Sequence, residues 1–452
     1  MRSEPLAAVL ATPAAKALVG AARPVTGTAE DYEGLLGLVG DRRLVLIGEA
    51  SHGTHEFYRE RARITRRLVD ELGFTVVAVE GDWPDAYRVN RYVMGMRGDA
   101  TADDALQGFR RFPTWMWRNR DVLAFVQWMR ARNEAQAHPS TKVRFYGLDL
   151  YSLRASIEAV IDYLERVDPA EAARARARYS CFDHVGTDGQ AYAYALATAA
   201  ADPCEAQVVA QLIELRRRAT GYLRQDGWVA EDEQFYAEQN AALVRDAEEY
   251  YHQMYRADVS SWNLRDRHMS RTLDALIEHL GRRMPGTKVV VWAHNSHVGD
   301  ARATAMGARG ELNIGQLARQ GHGGDVLLIG LSTYSGRVTA ASDWGGPAER
   351  KHVRPGRADS YEAMLHSAEI GQYWLPTGSL ADHEELSRSR LERAIGVIYR
   401  PETELQSHYF GADLVRQFDV MIHIDHTRAL EPLDRTPLWD RGEPPETYPT
   451  GV

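Results

Sequence analysis

The stretch Leu44-Val45-Leu46-Ile47-Gly48-Glu49-Ala50-Ser51-His52-Gly53-Thr54-His55-Glu56-Phe57-Tyr58 decides the fold. Its first half is a short apolar, β-branched run, which reads as a buried strand. The run stops at Gly48, and a carboxylate, a hydroxyl and two imidazoles arrive before a helical pattern begins. Strands buried on both faces belong to parallel sheets covered by helices. In open sheets of that kind ligands bind at the carboxyl ends of the strands. Glu49 and His52 therefore stand where chemistry is expected. The competing reading is a plain strand-to-helix turn with Ser51 or Thr54 as a helix cap.

The same pattern recurs along the chain. Thr75–Val79 reads as a second strand and runs into Glu80, Lys142–Gly147 as a third that ends in Asp149, and Lys288–Ala293 as a fourth followed by His294 and His297. Strands of a parallel sheet point the same way, so all these polar residues share one edge. The helix of about 56–72 carries Phe57, Ile64, Leu68 and Leu72 on one face and is closed by Gly73. Arg61 falls on that buried face, where an unpaired charge is costly, and it points toward the same edge. A second helix, about 261–280, leads directly into the fourth strand, and its Arg265 shares a face with Met269, Leu276 and Leu280. Trp83, Trp115 and Trp117 fall in loops at this edge. There they either stack on a large apolar ligand or pack a helical region onto the sheet.

The rest of the chain frames this core. Its 452 residues, 44% apolar, suffice for one large α/β domain or two ordinary ones. The net charge of −9 argues against nucleic acid as a partner. No apolar run approaches the roughly 18 residues a membrane span needs. Residues 1–27 read as a loose arm with one short helix. Residues 28–432 form the α/β domain, a mostly parallel central sheet with helices on both faces and further strands near 325–331, 369–374, 394–399 and 418–424. Residues 152–281 are almost purely helical and read as an insertion on that core, with the stripe Phe235, Leu243, Ala247, Tyr250 and Met254 as core. Residues 433–452 form an irregular tail rich in Pro, Asp, Arg and Glu. Cys181 and Cys204 lie apart and match no CxxC pattern, so the simplest reading is a reduced chain in the cytoplasm.

Several familiar schemes are missing: no GxSxG elbow, no HExxH, no Walker A motif and no GxGxxG after a strand. Imidazoles, carboxylates and a guanidinium suit activation of water against an ester or similar carbonyl. A neutral imidazole takes the proton, a carboxylate behind it fixes the tautomer, and a second imidazole or an arginine steadies the oxyanion. The same atoms admit two other uses. His52, His294 and His297 with Glu49 or Glu80 form a possible divalent-metal set, and a His-rich cleft also suits a bound ligand such as haem that is not turned over.

Taken together, Gly48-Glu49-Ala50-Ser51-His52-Gly53 after a strand, Arg61 in the next helix, Val79-Glu80-Gly81-Asp82 and Ala293-His294-Asn295-Ser296-His297 resemble the erythromycin esterase family. The order and spacing run from about residue 30 to about residue 430. The resemblance implies an α/β core with the helical insertion forming one wall of a deep cleft. It also implies hydrolysis of an ester, in the best-known members a macrolide lactone, with the associated antibiotic resistance. It makes His52 the general base on water, without metal or other cofactor, supported by Glu49, Glu80, His294, His297 and Arg61. Asp149, Trp83, Trp115, Trp117 and Arg265 are then the expected substrate contacts. The loop Phe112–Trp117 and the segment Asn263–Met269 look more like the broad branch of erythromycin esterase-like proteins, some named for succinoglycan biosynthesis. A small-molecule ester or lactone in general is therefore the expected substrate. No nucleic acid or membrane partner is implied.

Overall fold

Four short runs, β2 (Leu44–Ile47), β3 (Val76–Asp82), β4 (Arg144–Asp149) and β5 (Val289–Trp292), lie after β1 (Arg23–Pro24) and are buried along their whole length. They form the middle of a sheet completed by β6 (Val326–Ala340), β7 (Glu349–Val353), β8 (Gln372–Pro376) and β11 (Val420–Thr427), while β9 (Arg390–Arg393) and β10 (Tyr409–Ala412) make a separate ribbon. The structure is a computed structural model and describes residues 13–185, 189–198, 202–222, 227–254 and 258–442. The strand order is β1-β8-β11-β6-β2-β5-β3-β4, with β7 hydrogen-bonded to β6. Every pair from β11 to β4 is parallel, and β8, β1 and β7 run antiparallel at the margins.

Both sheet faces are covered, and the two-residue period of a strand divides the core accordingly. Leu44, Leu46, Val76 and Ala78 face one apolar cluster, and Val45, Ile47, Val77 and Val79 face the other. The register aligns the strand ends. Ile47 lies opposite Trp292 and Ile329, and Val79 opposite Trp292 and Gly147. Glu49, Glu80, Asp149 and His294 therefore leave or extend the sheet at one level. The turn after β2 needs its glycines. A Cβ at Gly48 would collide with the Asn295 side chain, and one at Gly53 with the Thr339 backbone.

The helices begin with α1 (Pro13–Ala21), α2 (His55–Leu72) and α3 (Trp83–Val93). Gly73, at φ 73°, ends α2 in the left-handed conformation. Between β4 and β5 the chain builds a lobe of α4 (Leu153–Val167), α5 (Pro169–Tyr179), α6 (Gly189–Ala197), α7 (Glu205–Tyr222), α8 (Gly227–Gln253) and α9 (Asp258–Gly281).

The structure departs from the sequence reading at four places. From Pro13 onward the N-terminal arm is docked: Ala14 and Leu18 are buried, and Arg23 and Pro24 pair with Trp374 and Tyr373. Residues 1–12 lie outside the described residues. No strand ladder forms over 394–399. These residues pass under the β2 turn and make single bridges, Ile395 to Ser51 and Ile398 to Ala341. The tail contains a short helix, Pro437–Arg441, and its last residues, 443–452, are not described. Finally, Cys181 and Cys204 are not free thiols but a disulfide within the lobe, with Cα atoms 6.0 Å apart. Helix packing brings together cysteines that are 23 positions apart, which spacing does not reveal. The reduced-chain argument for a cytoplasmic location falls with it. No described helix is long and apolar enough to cross a membrane.

Candidate active site

The aligned strand ends open into a cleft of about 430 Å³, lined at its base by His52, Glu80, Asp149, Arg265, His294 and His297. Glu49 and Arg61 do not line it but stand behind it. Arg61, fully buried on α2, is held between the rings of Tyr58 and Trp292 at 4.2 and 5.1 Å. Its Nη2 lies 2.7 Å from Glu49 Oε2. The other oxygen of Glu49 is 2.9 Å from His52 Nδ1. A guanidinium thus holds a carboxylate, and the carboxylate holds an imidazole. With Nδ1–H donated to Glu49, His52 keeps Nε2 as a free acceptor on the cleft side. That nitrogen is 3.9 Å from Glu80 Oε1, beyond direct hydrogen bonding.

A second imidazole–carboxylate pair faces the first. His297 Nδ1 is 2.9 and 3.0 Å from the two oxygens of Asp266, which also accepts the Ile314 N–H at 3.0 Å. Trp262 stacks on the His297 ring with centroids 4.6 Å apart. Burial alone would lower His297, but Asp266 and Glu80 outweigh it and raise the imidazole to about 9. When protonated, its Nε2–H faces Glu80 Oε1 at 3.4 Å. When neutral, Nε2 accepts from Arg265 Nη1 at 3.1 Å.

Glu80 ties the two halves together. One oxygen accepts from Arg265 Nη2 at 2.7 Å, and the other accepts the His294 backbone N–H at 2.8 Å. Burial opposes its charge, but His297, His52 and Arg265 hold it well below the usual carboxylate range. Arg265 also forks onto Asp149 at 2.9 and 2.7 Å, and the guanidinium likewise keeps Asp149 low against the effect of burial. His294 is different. Burial and then the neighbouring His52 hold it well below the ordinary imidazole value. Its Nδ1 accepts the Ser296 N–H at 3.2 Å, so the neutral ring carries its proton on Nε2. That buried Nε2 makes no well-formed hydrogen bond, and a backbone interaction of the ring with Ala50 raises the imidazole only slightly against burial. Among the described residues no group of three or more His, Cys, Asp or Glu side chains is arranged to hold a metal ion.

The structure separates the aromatic residues expected at the cleft. Trp117 lines it and donates to the Glu80 carbonyl at 3.2 Å. Trp83 and Trp115 do not line it. Trp83 is 1% exposed, stacks on Tyr146 and Tyr236, and donates Nε1–H to the Tyr236 carbonyl at 3.3 Å. It fastens α8 to the sheet, because its large apolar face finds more burial between the layers than at the mouth. Trp115 packs inward in the core on the opposite face.

Other site residues were not singled out in the sequence. Trp262 stands three before Arg265 and four before Asp266 on α9, so helical spacing links Trp262 to each of them, whereas Asp266 is not signalled by Arg265 directly. Tyr151 is sandwiched between the guanidiniums of Arg111 and Arg265 at 4.7 and 4.8 Å. Phe112 and Trp344 at the mouth come from loops far apart in the chain, which no periodicity connects.

A model of the erythromycin esterase family matches residues 69–427. The erythromycin esterase type II of Escherichia coli is 23% identical over 325 residues, covering 69% of this chain and 74% of that protein. A putative hydrolase of Bacillus subtilis is 20% identical over 404 residues, covering 85% of this chain and 84% of its own length. Among solved structures, an erythromycin esterase mutant in its open conformation superposes with a TM-score of 0.67 at 16% identity, covering 92% of this chain and 98% of that one.

Proposed function

The chain belongs to the erythromycin esterase family, and from that premise we propose that it hydrolyses a carboxylic ester or lactone with water activated by His52 and without a metal ion. The observation that carries the reading is the Arg61–Glu49–His52 chain, which orients His52 Nδ1 to the carboxylate and leaves Nε2 at the base of the cleft. As water attacks the carbonyl carbon, His52 Nε2 takes its proton. Glu49, held by Arg61, stabilises the imidazolium that forms. The oxyanion of the tetrahedral intermediate accepts from His294 Nε2–H, a buried donor that makes no well-formed hydrogen bond within the protein. Collapse of the intermediate breaks the C–O bond, and His52 returns the proton to the leaving alkoxide. The products are one acid and one alcohol, joined in a single chain if the substrate is a lactone.

Arg265 supports the metal-free form of this reading. Its guanidinium fills the space between Glu80, Asp149 and His297, and supplies there the positive charge a cation would bring. Asp149 and Arg265 then position Glu80 and His297, and Trp117 bounds the substrate space. A macrolide, with resistance as the consequence, and another natural-product lactone both fit this chemistry.

The test is a mass-spectrometric screen of macrolides and simple lactones with wild type and His52→Ala, each with and without chelator. Gain of one water, lost in the variant and indifferent to chelator, is the expected result. Loss of activity with chelator refutes the metal-free mechanism. Equal turnover by His52→Ala refutes the assignment of the base.

A further inference from the structure

Trp344 is an exposed tryptophan, at 54%. It stands in the turn between β6 and β7, at the mouth of the cleft, with its ring edge-to-face on Phe112 at 5.1 Å. The two rings come from loops far apart in the chain. Leaving a large indole in water is unfavourable, so a loosely held turn would fold it away.

This turn is firmly held. Ala341 N–H donates to the Val397 carbonyl at 2.9 Å, and Tyr399 N–H donates to the Ala341 carbonyl at 3.1 Å. Arg400 Nε donates to the Ser342 carbonyl at 3.0 Å, and Lys351 Nζ donates to Ser342 Oγ at 2.6 Å. Arg400 also pairs with Asp343, the residue just before Trp344. Both strands of the hairpin and the segment after β9 thus converge to present the indole outward.

Below it the cleft offers rings and thioethers, with Phe109, Met116, Trp262, Met306 and Phe410 in its wall. Each carboxylate and guanidinium in the lining already has an opposite partner. Asp82 takes Arg111 at 3.0 Å, and Glu80 and Asp149 share Arg265. Nothing in the lining therefore calls for a charged substrate body.

We infer that Phe112 and Trp344 form a rim subsite that grips the apolar body of the substrate remote from the scissile ester, and so select bulky esters over small ones. The inference rests on the ester-hydrolase reading and deepens it by naming the part of the substrate that is read. A small ester reaches His52 without touching the rim. A macrocyclic one spans from His52 to Trp344.

The experiment compares a short acetate ester with a macrocyclic lactone, in wild type, Trp344→Ala and Trp344→Phe. Binding of a macrocyclic lactam, which has no ester to cleave, is followed in parallel by calorimetry. Trp344→Ala is expected to lower kcat/KM for the lactone about tenfold, the size of one lost aromatic contact, through KM and with kcat kept. The acetate ester is unchanged, the lactam binds more weakly by the same factor, and Trp344→Phe restores both. Equal change on both esters, or no change on either, overturns the subsite. A shift in oligomeric mass with Trp344→Ala also overturns it, because the indole is then a subunit contact. If wild type cleaves neither ester, the hydrolase reading fails and the lactam decides alone. Weaker lactam binding in Trp344→Ala keeps the rim subsite, and unchanged binding removes it.

Discussion

Replacing Arg61 with methionine isolates the step on which the proposed base depends. The Arg61–Glu49 ion pair is sealed, with side chains 1% and 0% exposed and 2.7 Å between Nη2 and Oε2. Methionine keeps an unbranched apolar stem between Tyr58 and Trp292, so the packing loss is small. The charge loss is not. An exposed ion pair is worth about 0–1 kcal/mol, but removing one partner of a buried pair leaves an uncompensated charge and costs about 3–5 kcal/mol. Arg61→Met is therefore expected to lose about 3–5 kcal/mol of unfolding free energy by that mechanism, measured by denaturant titration. The double variant Arg61→Met/Glu49→Gln removes the stranded charge and recovers at least half of that loss. Recovery of stability brings no recovery of activity, because His52 still lacks its anionic partner. A kcat deficit on the order of 10²–10⁴, the range for a lost general base, persists in the double variant. A single variant that loses under about 1 kcal/mol behaves like a surface pair and refutes the reasoning. So does a double variant no more stable than the single.

Three further outcomes follow from the same geometry. Asp266 and Glu80 hold His297 at about 9, against burial, whereas an unfolded histidine titrates near 6.5. The stability this contributes is full below about pH 6.5, is lost as pH rises through about 9, and amounts to roughly 3 kcal/mol at most. Unfolding free energies measured from pH 6 to 10 should show that loss, and Asp266→Asn should flatten it; an unchanged slope in Asp266→Asn excludes Asp266 as the cause. Reducing the Cys181–Cys204 bond, which closes a separation of 23 residues, should cost about 3 kcal/mol by the loop-entropy relation, seen as a lower unfolding midpoint with dithiothreitol. Trp83→Ala should lose about 3–5 kcal/mol of stability, with any KM change no larger than that of an unrelated core truncation, because Trp83 joins lobe to sheet and does not line the cleft.

The strand ends were legible in the sequence for a physical reason. A strand buried on both faces must be apolar throughout, so the first polar residue after it marks the sheet edge. Parallel register then brings Glu49, Glu80, Asp149 and His294 together without further information. Arg61 was legible because a charge on a buried helical face needs a partner. Trp83 was ambiguous for the converse reason: an indole at a strand end has no polar requirement that decides whether it faces cleft or core. The disulfide and the Phe112–Trp344 pair depend on how loops and helices pack, and local pattern carries no record of that. The run 394–399 has strand composition, but its backbone partners are the β2 turn and Ala341 rather than a neighbouring strand, so it makes bridges and no ladder.

The lobe is more than a wall added to a finished site. Its last helix, α9, returns toward β5, so its first turns lie at the carboxyl edge of the sheet. Trp262, Arg265 and Asp266 are carried on those turns, and they fix His297, Glu80 and Asp149. Without α9 the buried carboxylates of Glu80 and Asp149 would lose the guanidinium they share, and removing one partner of a buried pair costs several kcal/mol. The sheet and α2 supply the Arg61–Glu49–His52 chain, and the lobe adds the Arg265 guanidinium that joins His297 in keeping Glu80 ionised and pairs with Asp149. Changes in the lobe that reshape the substrate space must therefore preserve the start of α9. The parts freer to vary are α5 to α7, of whose described residues none lines the cleft.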